Sequence, residues 1–387
     1  MRRSAIALAL MAAVVVAGCG DKKDKPEAAQ LKGAVAIGVL APTSGTQSAR
    51  GADLIDGAKL AAGELNAKGG VLGHKVELQP VDDACEPYIA YESAKTFVTD
   101  GGGAIGVIGG VCDEVAEREV STVDATEKPF LVTSATADGI VSEKTPFTFQ
   151  MNGTLYQQAL SSVFWMNYEE TERLAVVQDE SAESKSIAKQ AIGLLEGQPK
   201  LVSLQTVEPK GPKVKTIAKA AIAAKPDLVL WTGSAQGGGE LVAALREAGF
   251  KGKFTATAAS EAPEFLSAAG PAGEGATVMA TGSPQNTPTA ETFRAAFKAK
   301  FNREPGFDAQ QAYDAVQVLA HAANRAKSTD SAKMVAKLTE LDPKFSNALG
   351  VVRFAPDHTL LYDNRVILKV KDGKFTWDRS LRTDSLG

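Results

Sequence analysis

From residue 33 onward the chain alternates short β-branched runs with longer segments whose apolar residues fall three and four positions apart. GAVAIGVLAP (33–42) is a strand-like run stopped by proline, and RGADLIDGAKLAAGELNAKGG (50–70) has helical spacing and a glycine stop. HKVELQPVDDA alternates as a half-buried strand, ESAKTFVTDG reads as a helix, AIGVIGG as a buried strand and DEVAEREVSTVDATE as a helix. The alternation resumes with RLAVVQD, SKSIAKQAIGLLEG, KLVSLQTV, VKTIAKAAIAAKPD, DLVLWTG, GELVAALREAG and KFTATAA, then ends in a long helical stretch, AQQAYDAVQVLAHAANRAK, and a strand-rich tail. Repeated strand–helix–strand order with short connections restricts the chain to α/β layers with mostly parallel sheets. Its length suits two lobes, and the two βα series read as two copies of one architecture.

The first residues, MRRSAIALALMAAVVVAGCG, place two arginines before an uncharged run and small residues, the pattern of a secretory signal. Val16 to Cys19 resemble a bacterial lipobox, which implies a signal peptide over 1–18, lipid on Cys19 and anchoring to the cell membrane. Residues 19–33 are charged, contain a proline and lack apolar periodicity, so they read as a solvated tether. With 42 Lys+Arg against 46 Asp+Glu, the formal charge of −4 argues against a nucleic-acid surface.

Export also decides what the thiols do. With Cys19 assigned to lipid, Cys85 and Cys112 remain as candidate disulfide partners in an oxidising compartment. A zinc site fits poorly, because His74, His321 and His358 are scattered without ligand spacing. A nucleophilic Cys112 needs a nearby base and a reduced thiol, and the sequence offers neither. GGGAIG (101–106) matches GxGxxG, but it follows a helix and opens a strand, the reverse of the dinucleotide-binding context. No cofactor or metal is therefore expected.

Five junctions between strand and helix carry small polar residues: APTSG (41–45), GGVCDEV (109–115), TSATAD (133–138), QDESAES (178–184) and TGSAQGGGE (232–240). In open parallel sheets ligands bind at the carboxyl ends of strands, so five such loops in succession suggest a cleft for a small polar ligand. The same residues also cap helices, and Asp113 reads equally well as a plain N-cap. Arg50 and Glu183 read first as rim residues, and Ser134 and Thr136 as turn residues. Trp165 and Trp231, with apolar neighbours, read as core.

VDDACEP (81–87), IGGVC (108–112), LNAKGG (65–70), QQAYDAVQVLA (310–320) and VKDGKF (370–375) resemble the periplasmic leucine/isoleucine/valine-binding family of ABC-transporter solute-binding proteins. The resemblance implies a type I periplasmic binding fold, two Rossmann-like lobes with parallel-sheet cores joined by a three-stranded hinge. It places residues 34–152 and 284–350 in one lobe and 153–283 and 351–387 in the other, with crossings near Met151 to Thr154, Gly282 to Pro284 and Leu349 to Val351. It implies a Cys85–Cys112 disulfide beside the ligand. In the family's amino-acid binders a serine after the second cysteine holds the ligand carboxylate; here that position is Asp113, whose charge opposes a carboxylate. Donors match Ser134, Ala135 and Thr136. Arg50 stands for an aromatic of the first loop, Glu183 and Ser234 for two tyrosines, and Glu261 lies in the segment of the acid that pairs with the ligand ammonium. These departures imply a solute other than plain leucine, isoleucine or valine.

The expected protein is thus an exported, lipid-anchored solute receptor that closes on a small polar, amino-acid-like ligand and serves an ABC permease. A sensing module of the same fold is the alternative reading, and a thiol-dependent enzyme using Cys112 the weaker one.

Overall fold

The computed structural model describes residues 33–99, 103–208, 213–280, 288–340, 346–348, 350–361 and 365–381. The expected signal peptide, the tether with Cys19, and the expected crossings at 282–284 and Leu349 lie outside these residues. Among the described residues no helix is long and apolar enough to cross a membrane.

The first series runs β1 (Val35–Ala41), α1 (Ser48–Ala67), β2 (Val76–Asp82), α2 (Pro87–Thr99), β3 (Val107–Gly109), α3 (Asp113–Asp124), β4 (Phe130–Val132) and β5 (Thr148–Gln150). Its strands pair in parallel in the order β2-β1-β3-β4-β5. Residues of β1, β3 and β4 are buried throughout, as expected for strands covered on both faces by helices.

The second series follows: α4 (Leu155–Tyr168), β6 (Arg173–Asp179), α5 (Ala182–Gly193), β7 (Lys200–Val207), α6 (Val214–Ala223), β8 (Leu228–Trp231), α7 (Ala235–Glu247), β9 (Lys253–Ala256), α8 (Pro263–Ala269) and β10 (Thr277–Ala280). These strands take the order β7-β6-β8-β9-β10, which repeats the first sheet strand for strand, and all four pairings are parallel. Trp231 and Trp165 pack in hydrophobic clusters of this half, as their apolar neighbours suggested.

The chain then returns to the first half. Helices α9 (Pro288–Phe301) and α10 (Phe307–Ala326) pack against α1, followed by α11 (Ser331–Thr339). The approach of α1 to α10 is close: a Cβ on Gly57 would sit 1.9 Å from the carbonyl oxygen of Ala309, so only glycine fits there. A two-residue pair of strands, β11 (Ser346–Asn347) and β12 (Gly350–Val351), leads into a turn closed by the Phe354–Leu360 bridge. That turn stays on the first sheet. Phe149 of β5 stacks on His358 with ring centroids 4.1 Å apart, and the Gln150 amide donates to the His358 carbonyl at 3.0 Å. Up to Leu361 this segment packs on β5, while the Leu360 carbonyl already accepts from Gln157 Nε2 of α4 at 2.7 Å. Phe354 of VVRFAP lies against Phe149, with ring centroids 4.9 Å apart. Strands β13 (Val366–Lys371) and β14 (Lys374–Ser380) finally extend the second sheet antiparallel beside β10.

Candidate functional site

The order 2-1-3-4-5 has one place where neighbouring strands feed loops in opposite directions, between its first and third strands, and there the carboxyl ends open a crevice. In the first half this is the gap between β1 and β3, which launch α1 and α3. In the second it is the gap between β6 and β8, which launch α5 and α7. Residues from both halves line a single cavity of ≈ 600 Å³.

The β1–α1 loop is pinned by Asp82, which accepts from the amides of Thr43 (2.7 Å) and Ser44 (3.2 Å) and from Ser44 Oγ (2.6 Å). Burial works against its ionisation, but these donors and the Ala84 amide outweigh it and hold the carboxyl below its usual range. The loop delivers Arg50, on the first turns of α1, to the cavity wall. Its guanidinium forms a bidentate pair with Asp308 of α10, Nε to Oδ2 at 2.9 Å and Nη2 to Oδ1 at 3.0 Å, and donates to the Val111 carbonyl at 3.1 Å. Arg50 is thus a brace between helices far apart in sequence, with its charge already matched.

The disulfide joins Cys85, after β2, to Cys112, after β3, with Cα atoms 5.8 Å apart. Cys112 takes the N-cap position of α3 in extended conformation, so Asp113 is the first helical residue and does not cap its own helix. Its carboxylate crosses to the loop after β4. Oδ1 accepts from the amides of Thr136 (2.6 Å) and Ala137 (3.2 Å), and Oδ2 from Thr136 Oγ1 (3.4 Å). Asp113 thereby occupies two backbone donors at the cavity edge with an anion of the chain's own.

Ser134 is buried at the same wall, its carbonyl accepting from Asn152 Nδ2 at 2.8 Å. Ala135, expected among the ligand contacts, is not part of the wall. Its methyl packs into the apolar core behind β4, because in this turn alternate residues face opposite sides. Ser234 is likewise absent from the wall. Its hydroxyl caps α7 by accepting from Gly237 N at 3.4 Å, and its amide donates to Asp179 Oδ2 at 2.9 Å.

From the second half come Glu183, in the first turn of α5, and Glu261, at the end of the 3₁₀ turn that follows β9. Burial raises the Glu183 carboxyl, reinforced by the negative charges of Asp113 and Asp179 and opposed by Arg365 and Arg50. Burial alone pushes Glu261 up to about 8. Glu261 is nevertheless exposed to solvent, which weakens that displacement.

Six of the eight expected contact residues, Arg50, Asp113, Ser134, Thr136, Glu183 and Glu261, therefore share one cavity. Sequence reasoning missed Gln47, Asn152, Gln158, Arg294 and Gln310, which share it too. Gln158 had a signal of sorts, a buried polar residue inside the apolar helix α4. Arg294 and Gln310 had none, since they reach the cavity only through the return of the chain to the first half. Among the described residues no group of three or more His, Cys, Asp or Glu side chains is arranged to hold a metal ion.

The periplasmic binding protein family model matches residues 34–374, and the chain belongs to that family. Its relatives include the Leu/Ile/Val-binding protein homolog 3 of Brucella melitensis, 28% identical over 348 residues that cover 88% of this chain and 92% of the relative. The Leu/Ile/Val-binding protein BraC3 of Rhizobium johnstonii is 28% identical over 345 residues, with the same coverage of 88% and 92%. Among solved structures, the leucine binding protein LivK of Thermotoga maritima superposes with a TM-score of 0.73 at 24% identity, covering 91% of this chain and 100% of that one. A putative branched-chain amino acid ABC transporter protein from Rhodospirillum rubrum gives 0.80 at 22% identity, covering 89% and 100%. The fold is accordingly the two-lobed type I periplasmic binding architecture, and the protein is a binding protein rather than an enzyme. With Cys112 in a disulfide, the thiol-enzyme reading has no nucleophile.

Proposed function

We propose that this protein is an exported solute receptor that captures an amino acid or related small polar solute between its lobes and presents it to the permease of an ABC importer. The observation that carries this reading is the polar cavity of ≈ 600 Å³ at the facing switch points of two identically wound sheets. A ligand that touches Asp113 and Ser134 on one side and Glu183 and Glu261 on the other bridges both lobes, and so favours the closed state over the open one. The kinship with Leu/Ile/Val-binding proteins supports an importer as the partner. Export and lipid attachment at Cys19 complete the reading: the receptor stays at the membrane beside its permease.

The test is a thermal-shift screen of the purified protein against amino acids, amides, polyamines, aromatic acids and short peptides. A ligand at a hundred times its Kd stabilises by about 2.7 kcal/mol. Substituting Cys19→Ser should release the protein from membranes into the soluble fraction. Deleting the gene should abolish uptake of the ligand the screen identifies; unchanged uptake with intact binding favours the sensing role instead.

A further inference from the structure

Three features of the cavity point to the charge of what enters it. The first is the balance of its wall. Asp113, Glu114, Glu183 and Glu261 contribute four carboxyls, against the guanidiniums of Arg50 and Arg294. Arg50 is already matched by its bidentate pair with Asp308, and carboxyls remain the majority of the charged groups on the wall.

The second is the fate of the backbone donors. The amide of Thr136, at the cavity wall, and that of Ala137 beside it are suited to an anion, yet both donate to Asp113. An incoming carboxylate must displace Asp113 from them and then lie beside it. An ammonium or guanidinium meets the reverse situation, a fixed carboxylate already oriented by three hydrogen bonds.

The third is Gln158. This residue is 3% exposed, forms part of the cavity wall, and its side-chain Oε1 has no donor. A buried acceptor without a partner is costly, and a ligand N–H relieves it. It is also independent of the carboxyls, because it belongs to α4 and carries no charge.

Resting on the solute-receptor reading above, we propose that the solute is net cationic, and that its ammonium or guanidinium group is held by Asp113, Glu183 and Glu261, with the Gln158 side-chain oxygen accepting one of its N–H groups. The raised carboxyls of Glu183 and Glu261 fit this assignment: burial disfavours their anions, and a buried cation reverses that preference.

The experiment is isothermal titration of the full-length protein, solubilised in detergent, with putrescine, agmatine, L-leucine and benzoate in about 0.15 M salt, where exposed charges are screened beyond roughly 8 Å. Saturable binding of putrescine or agmatine, with none of L-leucine or benzoate, is expected. Glu183→Gln should then weaken the cation by at least about tenfold, and Glu261→Gln serves the same purpose should E183Q fail to fold. Binding of L-leucine or benzoate without either cation overturns the assignment and leaves the receptor reading intact. Equal cation affinity in both glutamine variants overturns it as well, because the charge would then be held elsewhere. Silence from all four probes also rejects the cation assignment, while the broader screen decides the receptor reading on its own.

Discussion

Asp113 stands at the wall of the cavity, and its hydrogen bonds determine what a substitution there should change. A side chain that caps its own helix leaves neighbouring loops free; Asp113 instead closes the loop after β4 onto α3 through Thr136 and Ala137. Asp113→Ser shortens the side chain and removes the charge, which frees both amides for an external carboxylate. The variant should therefore gain stabilisation by L-leucine or another zwitterion that wild type lacks, read as a ligand-dependent rise in Tm. An unchanged ligand profile would mean that Asp113 only ties two elements together. At this scale the sequence was half legible. Cys112, Asp113, Ser134 and Thr136 were found because they sit in strand–helix junctions, and a local pattern reports a local junction. Arg50 also lines the cavity, but it is engaged with Asp308, 258 positions away, and nothing local announces a contact of that span. Ala135 and Ser234 lie off the cavity wall for different reasons, the one packed in the core behind β4 and the other spent on capping α7.

At the scale of elements, the wall formed by α3 and the β2–α2 loop is held by two devices. The disulfide Cys85–Cys112 closes a loop with a sequence separation of 27. By the chain-entropy relation its removal should cost about 3–4 kcal/mol, measured as the loss of unfolding free energy in the Cys85→Ala, Cys112→Ala double variant. A value near zero would show that strain or residual structure cancels the entropic gain. The second device lies beneath it. Asp83 and Glu119 are both fully buried; Asp83 Oδ1 accepts from Cys85 N at 2.8 Å, the Gly110 amide donates to Glu119, and a hydrogen bond joins the two carboxyls. Two carboxyls so placed satisfy each other only by sharing a proton. Burial first, then the charge of Asp83 and a hydrogen bond with it, hold Glu119 well above its ordinary range, so Glu119 keeps its proton in the folded protein. The sign of the pH dependence follows. Below about pH 4.3 both states hold the proton and Glu119 contributes no slope. Above that value the unfolded chain releases it and the native protein does not, so stability falls as pH rises until the folded pKa is passed. Glu119→Gln retains an N–H for Asp83 and does not titrate. Its stability should gain on wild type by about 1.4 kcal/mol for each pH unit across that window, and parallel stability–pH curves for the two proteins would discard the shared proton. Neither carboxyl was singled out from sequence, because acids inside DDAC and DEVAEREV read as ordinary surface charge on a solvated helix face.

For the whole molecule, the alternation of strands and helices was enough to expect two α/β halves, and the repeat of order 2-1-3-4-5 in both sheets follows from that alternation with right-handed crossovers. Periodicity failed where burial is not one-sided. Helix α4, LYQQALSSVFWMNY, buries residues around much of its circumference and shows no clean stripe, and the three-residue β5 is too short to carry a pattern. The connection after β5 bears on motion, since two lobes that close on each other bend at the passages between them. Residues Met151 to Thr154 are buried, and Asn152 bonds to both Ser134 and Gly153, which makes that connection a packed pivot rather than a loose linker. Closing about it requires a ligand that binds the closed state more tightly: a shift from 1:99 to 99:1 needs roughly a 10⁴-fold difference in affinity between states. A solute reaching both Asp113 and Glu183 supplies such a difference, because neither contact set is complete in the open state. Saturation with the ligand should therefore lower the radius of gyration in small-angle scattering, and Asn152→Ala, which loosens the pivot without touching any carboxyl of the wall, should reduce affinity while leaving the compacted radius of the saturated protein unchanged. A saturated wild-type protein with the same radius as the free one would show that the lobes do not close on the solute.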